Sequence, residues 1–122
     1  MDHSPAFLAL VADAKTRVAE IDIHGYLRMK AESTPHLLID TREEHEWNLG
    51  RIPGAVHLGR GIIERDIERR VPEKSTCMVL YCGGGYRSAL AADNLRRMGY
   101  TACISLDGGW RAWKDLGLPI EA

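Results

Sequence analysis

Cys82-Gly83-Gly84-Gly85-Tyr86-Arg87-Ser88 is the stretch on which the reading of this 122-residue chain turns. The apolar run Met78-Val79-Leu80-Tyr81 precedes it, and the alanine-rich segment Ala89 to Met98 follows. That order predicts strand, tight loop, helix. Three glycines let the backbone curl with its N–H groups turned inward and leave no Cβ in the way. The result is a bowl of donors at a positive helix end with a thiol on its rim. An ordinary cysteine, near pKa ~8.5, is mostly protonated at neutral pH. The loop amides, the helix N-terminus and Arg87 all favour the thiolate, and the same donors would hold an anion facing it. Such a thiolate suits attack on sulfur, phosphorus or arsenic in an oxyanion. Each feature alone has a plainer explanation: a core cysteine, a turn, a surface arginine. Their conjunction points to chemistry.

Outward from the loop, short apolar runs alternate with helical patterns. Residues 5–20 read as a helix with Pro5 near its start, followed by a short strand at 21–23 and a second helix over 23–32 that Gly25 weakens. His36 to Asp40 reads as a buried strand with the acid at its C-terminal end, where sites gather in parallel sheets. Thr41 is the expected cap of a helix reaching Leu49. Residues 55–58 form a strand, 62–70 an amphipathic helix, 77–81 the central strand and 88–98 the helix after it. A last strand lies within 100–106, and Trp110 to Leu116 closes the chain. Alternation of this kind gives an α/β fold with a parallel sheet covered by helices on both faces.

The composition fits one globular domain. The formal net charge is −1, and the arginines interleave with acids, so nucleic acid is not an expected partner. No apolar stretch approaches the ~18 residues of a membrane span. The N-terminal residues lack a basic leader, which makes a cytoplasmic location the expectation. An odd cysteine count, at 77, 82 and 103, does not suggest a disulfide framework. Cys77 and Cys103 read as core residues. The other reading, a resolving thiol for Cys82, must contend with the roughly 16 Å that five strand residues place between 77 and 82. The five histidines form no metal-ligand spacing with carboxylates, so neither metal nor cofactor is expected.

With these residues in place, the chain resembles a single-domain rhodanese, a thiosulfate sulfurtransferase-like protein. The resemblance runs from about Asp40 to Pro119. It rests on Asp40-Thr41-Arg42 with Glu46-Trp47, on Gly50-Arg51-Ile52-Pro53-Gly54-Ala55, on Tyr81 through Ala89, and on Leu106-Asp107-Gly108-Gly109-Trp110-Arg111-Ala112-Trp113. Arg51 departs from the pattern, since many relatives carry histidine there. The resemblance implies a rhodanese-like fold, a five-stranded, mainly parallel sheet with helices on both faces, over residues 21–122. Residues 1–20 then form an N-terminal helical extension packed on that domain. It further implies that Cys82 takes a sulfane sulfur from a small anionic donor such as thiosulfate and holds it as a persulfide. A thiophilic acceptor, cyanide, a cellular thiol or a protein, then removes it.

In that scheme Gly83, Gly84, Gly85 and Tyr86 form the cradle, Arg87 orients loop and donor, and Ser88 caps the helix and adds a hydroxyl. Tyr86 is expected to point outward. Arg60 is either a second anion contact on the same rim or a plain surface charge. Asp40 and Arg42 are expected as a buried ion pair or cap, and Trp110 as packing beside the loop. Related phosphatases place one more residue between cysteine and arginine than the four here, so a phosphatase or arsenate reductase is the weaker enzymatic alternative. A non-catalytic or regulatory persulfide carrier docking on a partner protein is the alternative of another class. Monomer and homodimer both remain open.

Overall fold

The structure, a computed structural model, describes residues 3–122; the first two residues of the expected N-terminal extension lie outside it. Five strands form one sheet: β1 (Ala19–Ile21), β2 (Leu37–Asp40), β3 (Val56–His57), β4 (Met78–Tyr81) and β5 (Cys103–Leu106). Their spatial order is β1-β5-β4-β2-β3, and every pairing is parallel. The helices between and around them are α1 (Pro5–Lys15), α2 (Ile23–Ala31), α3 (Glu44–Leu49), α4 (Ile63–Arg70), α5 (Tyr86–Arg97) and α6 (Gly109–Asp115). None is long and apolar enough to cross a membrane.

The fully buried middle strand β4 sorts the two cores by its alternation. Met78 and Leu80 face one cluster with Ile63, Ile67, Ala91 and Leu95, from α4 and α5. Val79 and Tyr81 face the other, with Ile23, Tyr26 and Trp113, from α2 and α6. A continuous apolar strand buried on both sides is what a parallel sheet covered by helices requires.

Three local expectations are corrected. The first helix stops at Lys15 rather than continuing to residue 20, because Thr16 caps it, its hydroxyl donating to the Asp13 carbonyl at 2.6 Å. Ala19–Ile21 then enters the sheet beside β5, two residues ahead of the strand expected at 21–23. Thr41 does not cap α3. It is buried and bonds the Tyr81 carbonyl through both N–H and hydroxyl, at 2.8 and 2.9 Å, while Glu43 and Glu46 form the capping box. The helix after the loop begins at Tyr86, with Gly85 rather than Ser88 at its N-cap. Gly25 does sit inside α2: a Cβ there would come within 2.6 Å of the Ile21 side chain, so close packing on β1 outweighs glycine's poor helix propensity.

Candidate active site

Cys82 leaves the C-terminal end of β4 and is 1% exposed. The loop wraps its sulfur: the Gly85 N–H donates to Sγ at 3.1 Å and the Ser88 N–H at 3.4 Å. Gly85 turns the chain with φ of +103°, a conformation open to glycine, and so aims its amide inward. Among the described residues, the Gly83 and Gly84 amides find no acceptor in the chain, which leaves them as donors to an occupant of the bowl. Ser88 Oγ lies 3.5 Å from Sγ and 2.8 Å from Ser105 Oγ, all three residues being buried. Ser105, on β5, thus anchors the hydroxyl beside the sulfur.

The closing helix α6 holds the loop from below. Trp110 N–H donates to the Cys82 carbonyl at 2.8 Å and Arg111 N–H to the Gly83 carbonyl at 2.9 Å. Trp110 lies beside the loop, and its ring carries the Arg42 guanidinium 4.6 Å from its centroid. Asp40 and Arg42 form a buried ion pair, with Arg42 Nη2 2.7 Å from Asp40 Oδ2 and the same nitrogen 2.7 Å from the Gly50 carbonyl. The pair holds the β2 end and the Gly50 turn together.

Arg87 is engaged by Glu46 of α3, at 2.7 and 3.2 Å. These bonds pull the Glu46 carboxyl from 4.5 down to about 2, against the opposing effect of burial, with help from the Glu43 N–H. The same contact, and then the nearby Cys82 sulfur, raise the Arg87 guanidinium above its ordinary value against burial.

Above the sulfur lies a cavity of about 370 Å³ lined by His3, Phe7, Cys82, Gly84, Tyr86, Arg87 and Arg111. Arg60 is not among them. It sits 3.6 Å from Glu64, one turn along, and its N–H bonds the Thr41 carbonyl. Arg111 does line the cavity, its Nη1 3.8 Å from where a Cβ on Gly84 would lie. Tyr86 does not point freely outward either, since α1 folds over it and its ring meets Phe7 and His3. Glu46, Arg111, Ser105, Phe7 and His3 were not singled out from sequence. Glu46 and Arg111 both fall inside the quoted family stretches, so position hinted at them although no local pattern gave their roles.

Cys77 and Cys103 are half-buried and free. Burial pushes the Cys103 thiol up to about 11, which makes it a poor nucleophile. Among the described residues no group of three or more His, Cys, Asp or Glu is placed to hold a metal.

A family model described as the rhodanese-like domain matches residues 24–116. A protein named sulfurtransferase from Allochromatium vinosum is 36% identical over 105 residues, spanning 86% of this chain and 96% of its own length. The thiosulfate sulfurtransferase GlpE of Vibrio cholerae is 30% identical over 102 residues, spanning 84% and 93%. Among solved structures, RPA3614 of Rhodopseudomonas palustris, described as a protein of unknown function and "possible tyrosine phosphatase", has a TM-score of 0.84 at 29% identity and covers 99% of both chains.

Proposed function

The chain belongs to the rhodanese-like domain family, and from that premise we propose that it is a sulfurtransferase working through a persulfide on Cys82. The observation that carries this is the sulfur itself: a thiol at the end of the middle strand, met by two inward N–H groups, beneath a cavity with two arginines. The Cys82 thiolate attacks the outer sulfur of a donor such as thiosulfate. A Cys–S bond forms, the donor S–S bond breaks, and sulfite leaves with the electron pair. The added sulfur carries the negative charge and is held by the Gly83 and Gly84 amides together with those already at Sγ. An acceptor nucleophile, cyanide or a thiolate, then attacks that sulfur and frees Cys82 as thiolate. Arg87, fixed by Glu46, and Arg111 hold the donor anion. Cys82, Gly83, Gly84, Gly85, Tyr86, Arg87 and Ser88 form the working loop, with Asp40, Arg42 and Trp110 as its support.

Intact-mass measurement after thiosulfate exposure tests this reading. The expected gain is one sulfur atom, removed by cyanide and absent in Cys82→Ser. A wild-type protein that gains nothing would sink it.

The description of the Rhodopseudomonas neighbour favours a phosphatase as the second reading. Four residues separate Cys82 from Arg87, and a bowl this small suits one sulfur atom better than a phosphate group. Hydrolysis of a phosphate ester faster than sulfur transfer from thiosulfate would reverse the ranking.

A further inference from the structure

Glu46 fixes Arg87, but α3, which carries Glu46, is poorly able to fix itself. It has six residues, and none of them is buried. A helix this short has no stability of its own in water. The Glu43 N–H holds the Glu46 carboxylate at 3.0 Å, but that bond lies within the same segment. An anchor reaching outside it is supplied by Trp47, the next residue along.

Two flat groups bear on the Trp47 ring. The Arg51 guanidinium carbon lies 4.4 Å from its centroid, and the His57 ring stacks on it at 5.1 Å and 18°. Both groups are tied to the scaffold. His57 belongs to β3, and its Nε2 is 2.8 Å from the Arg42 carbonyl, so that nitrogen carries the proton and donates it. Arg51 is bonded to Glu121 through its backbone N–H and carbonyl, both at 2.9 Å.

The Arg51 side chain is costly where it stands. Its Nε and Nη1 are buried without a hydrogen-bond partner among the described residues, and the Glu121 carboxylate is 3.9 Å from Nε. Buried donors left unpaired lower stability. Stacking of the guanidinium on an indole face offsets that loss. Among the described residues, neither Arg51 nor His57 lines the cavity over Cys82, so any part they take in the chemistry passes through other residues.

Resting on the assignment of sulfur transfer to Cys82, we propose that Arg51 and His57 are positioning residues: they hold Trp47, and through it α3, so that Glu46 keeps Arg87 directed at the donor anion. The chain of contacts is continuous. It runs from β3 and the Gly50 turn to the Trp47 ring, along one residue of α3 to Glu46, and across 2.7 Å to Arg87.

Steady-state kinetics with thiosulfate and saturating cyanide test this. Arg51→Ala is expected to raise KM for thiosulfate about tenfold and to leave kcat nearly unchanged. Arg51→Lys, whose ammonium cannot lie flat on the indole, should show about a third of that rise. Arg51→His, a flat ring again, should recover most of the loss. Added to Glu46→Gln, Arg51→Ala should raise KM no further, because both act on one contact. The Glu46 carboxyl gives a readout that needs no turnover. Followed by NMR at about pH 4, it should be ionised in wild type and partly protonated in Arg51→Ala. Should Arg51→Ala not fold, Arg51→Lys takes its place in each comparison. Effects that add in the double variant, or a KM and a carboxyl both unmoved in folded protein, would overturn the inference and leave sulfur transfer standing. Wild type that thiosulfate never loads would overturn sulfur transfer, and the Glu46 carboxyl would still decide whether Arg51 positions it.

Discussion

Glu46 ties the loop to α3, and its ionisation decides whether Arg87 is held. Its carboxyl lies at about 2 in the folded chain, below the 4.5 of a free side chain, because Arg87 hydrogen-bonds it. A depressed carboxyl contributes stability that is fully present above the unfolded value and is lost as pH falls through the folded one. Urea titrations of wild type and Glu46→Gln should therefore differ by about 1 kcal/mol at pH 7, the scale of a partly exposed ion pair. That difference should shrink as pH drops from about 4.5 toward 2. A constant gap across that window would mean that Glu46 acts through shape alone. At this scale the loop residues were legible because they are contiguous: a thiol, three glycines and an arginine spell one turn between strand and helix. Glu46, Arg111 and Phe7 were not, because each reaches the loop from a different element and acquires its role only when the sheet forms.

Among elements, α6 is the one whose placement the loop depends on. Gly109, at φ of +49°, begins it directly beneath the Cys82 carbonyl, and a Cβ there would collide with that oxygen. The same close approach is what lets the Trp110 and Arg111 amides reach the loop carbonyls. Gly109→Ala is expected to destabilise the protein by about 2–4 kcal/mol, combining strain at positive φ with a displaced loop. It should also abolish persulfide formation under conditions where the protein is still folded by circular dichroism. Retained stability and loading would show that the loop can shift away from α6 without consequence. Helix and strand order was readable from the alternation of apolar runs and turns. The ends were less so, for physical reasons. Ala19-Glu20-Ile21 is too short for its alternation to stand out, and pairing with β5 makes it a strand. Thr41 has a capping side chain, but burial against Tyr81 spends its hydroxyl elsewhere.

For the molecule as a whole, the buried Asp40–Arg42 pair is the costliest feature to disturb. Both side chains are almost fully enclosed, and Arg42 also serves the Gly50 carbonyl. Removing one partner strands the other without water. Arg42→Leu is expected to lower unfolding stability by about 3–5 kcal/mol. Arg42→Lys should recover only part of this, since an ammonium cannot form the same fork. A loss below about 1 kcal/mol for Arg42→Leu, from the shift of the urea midpoint, would show that Asp40 finds another partner. The pair spans two residues in sequence but joins β2 to the turn ahead of Ile52, and so links the sheet to the segment covering its second face.

The position of α1 has a practical bearing on how the protein is handled. His3 stands at the rim of the cavity over Cys82, so an affinity tag or fusion partner joined ahead of it would hang across the route by which reagents arrive. Glu121, by contrast, is stitched to Arg51 through two backbone hydrogen bonds of 2.9 Å and is not part of the cavity lining. Tags belong at that end, and kinetic values from amino-terminally tagged material are best compared with those from cleaved protein.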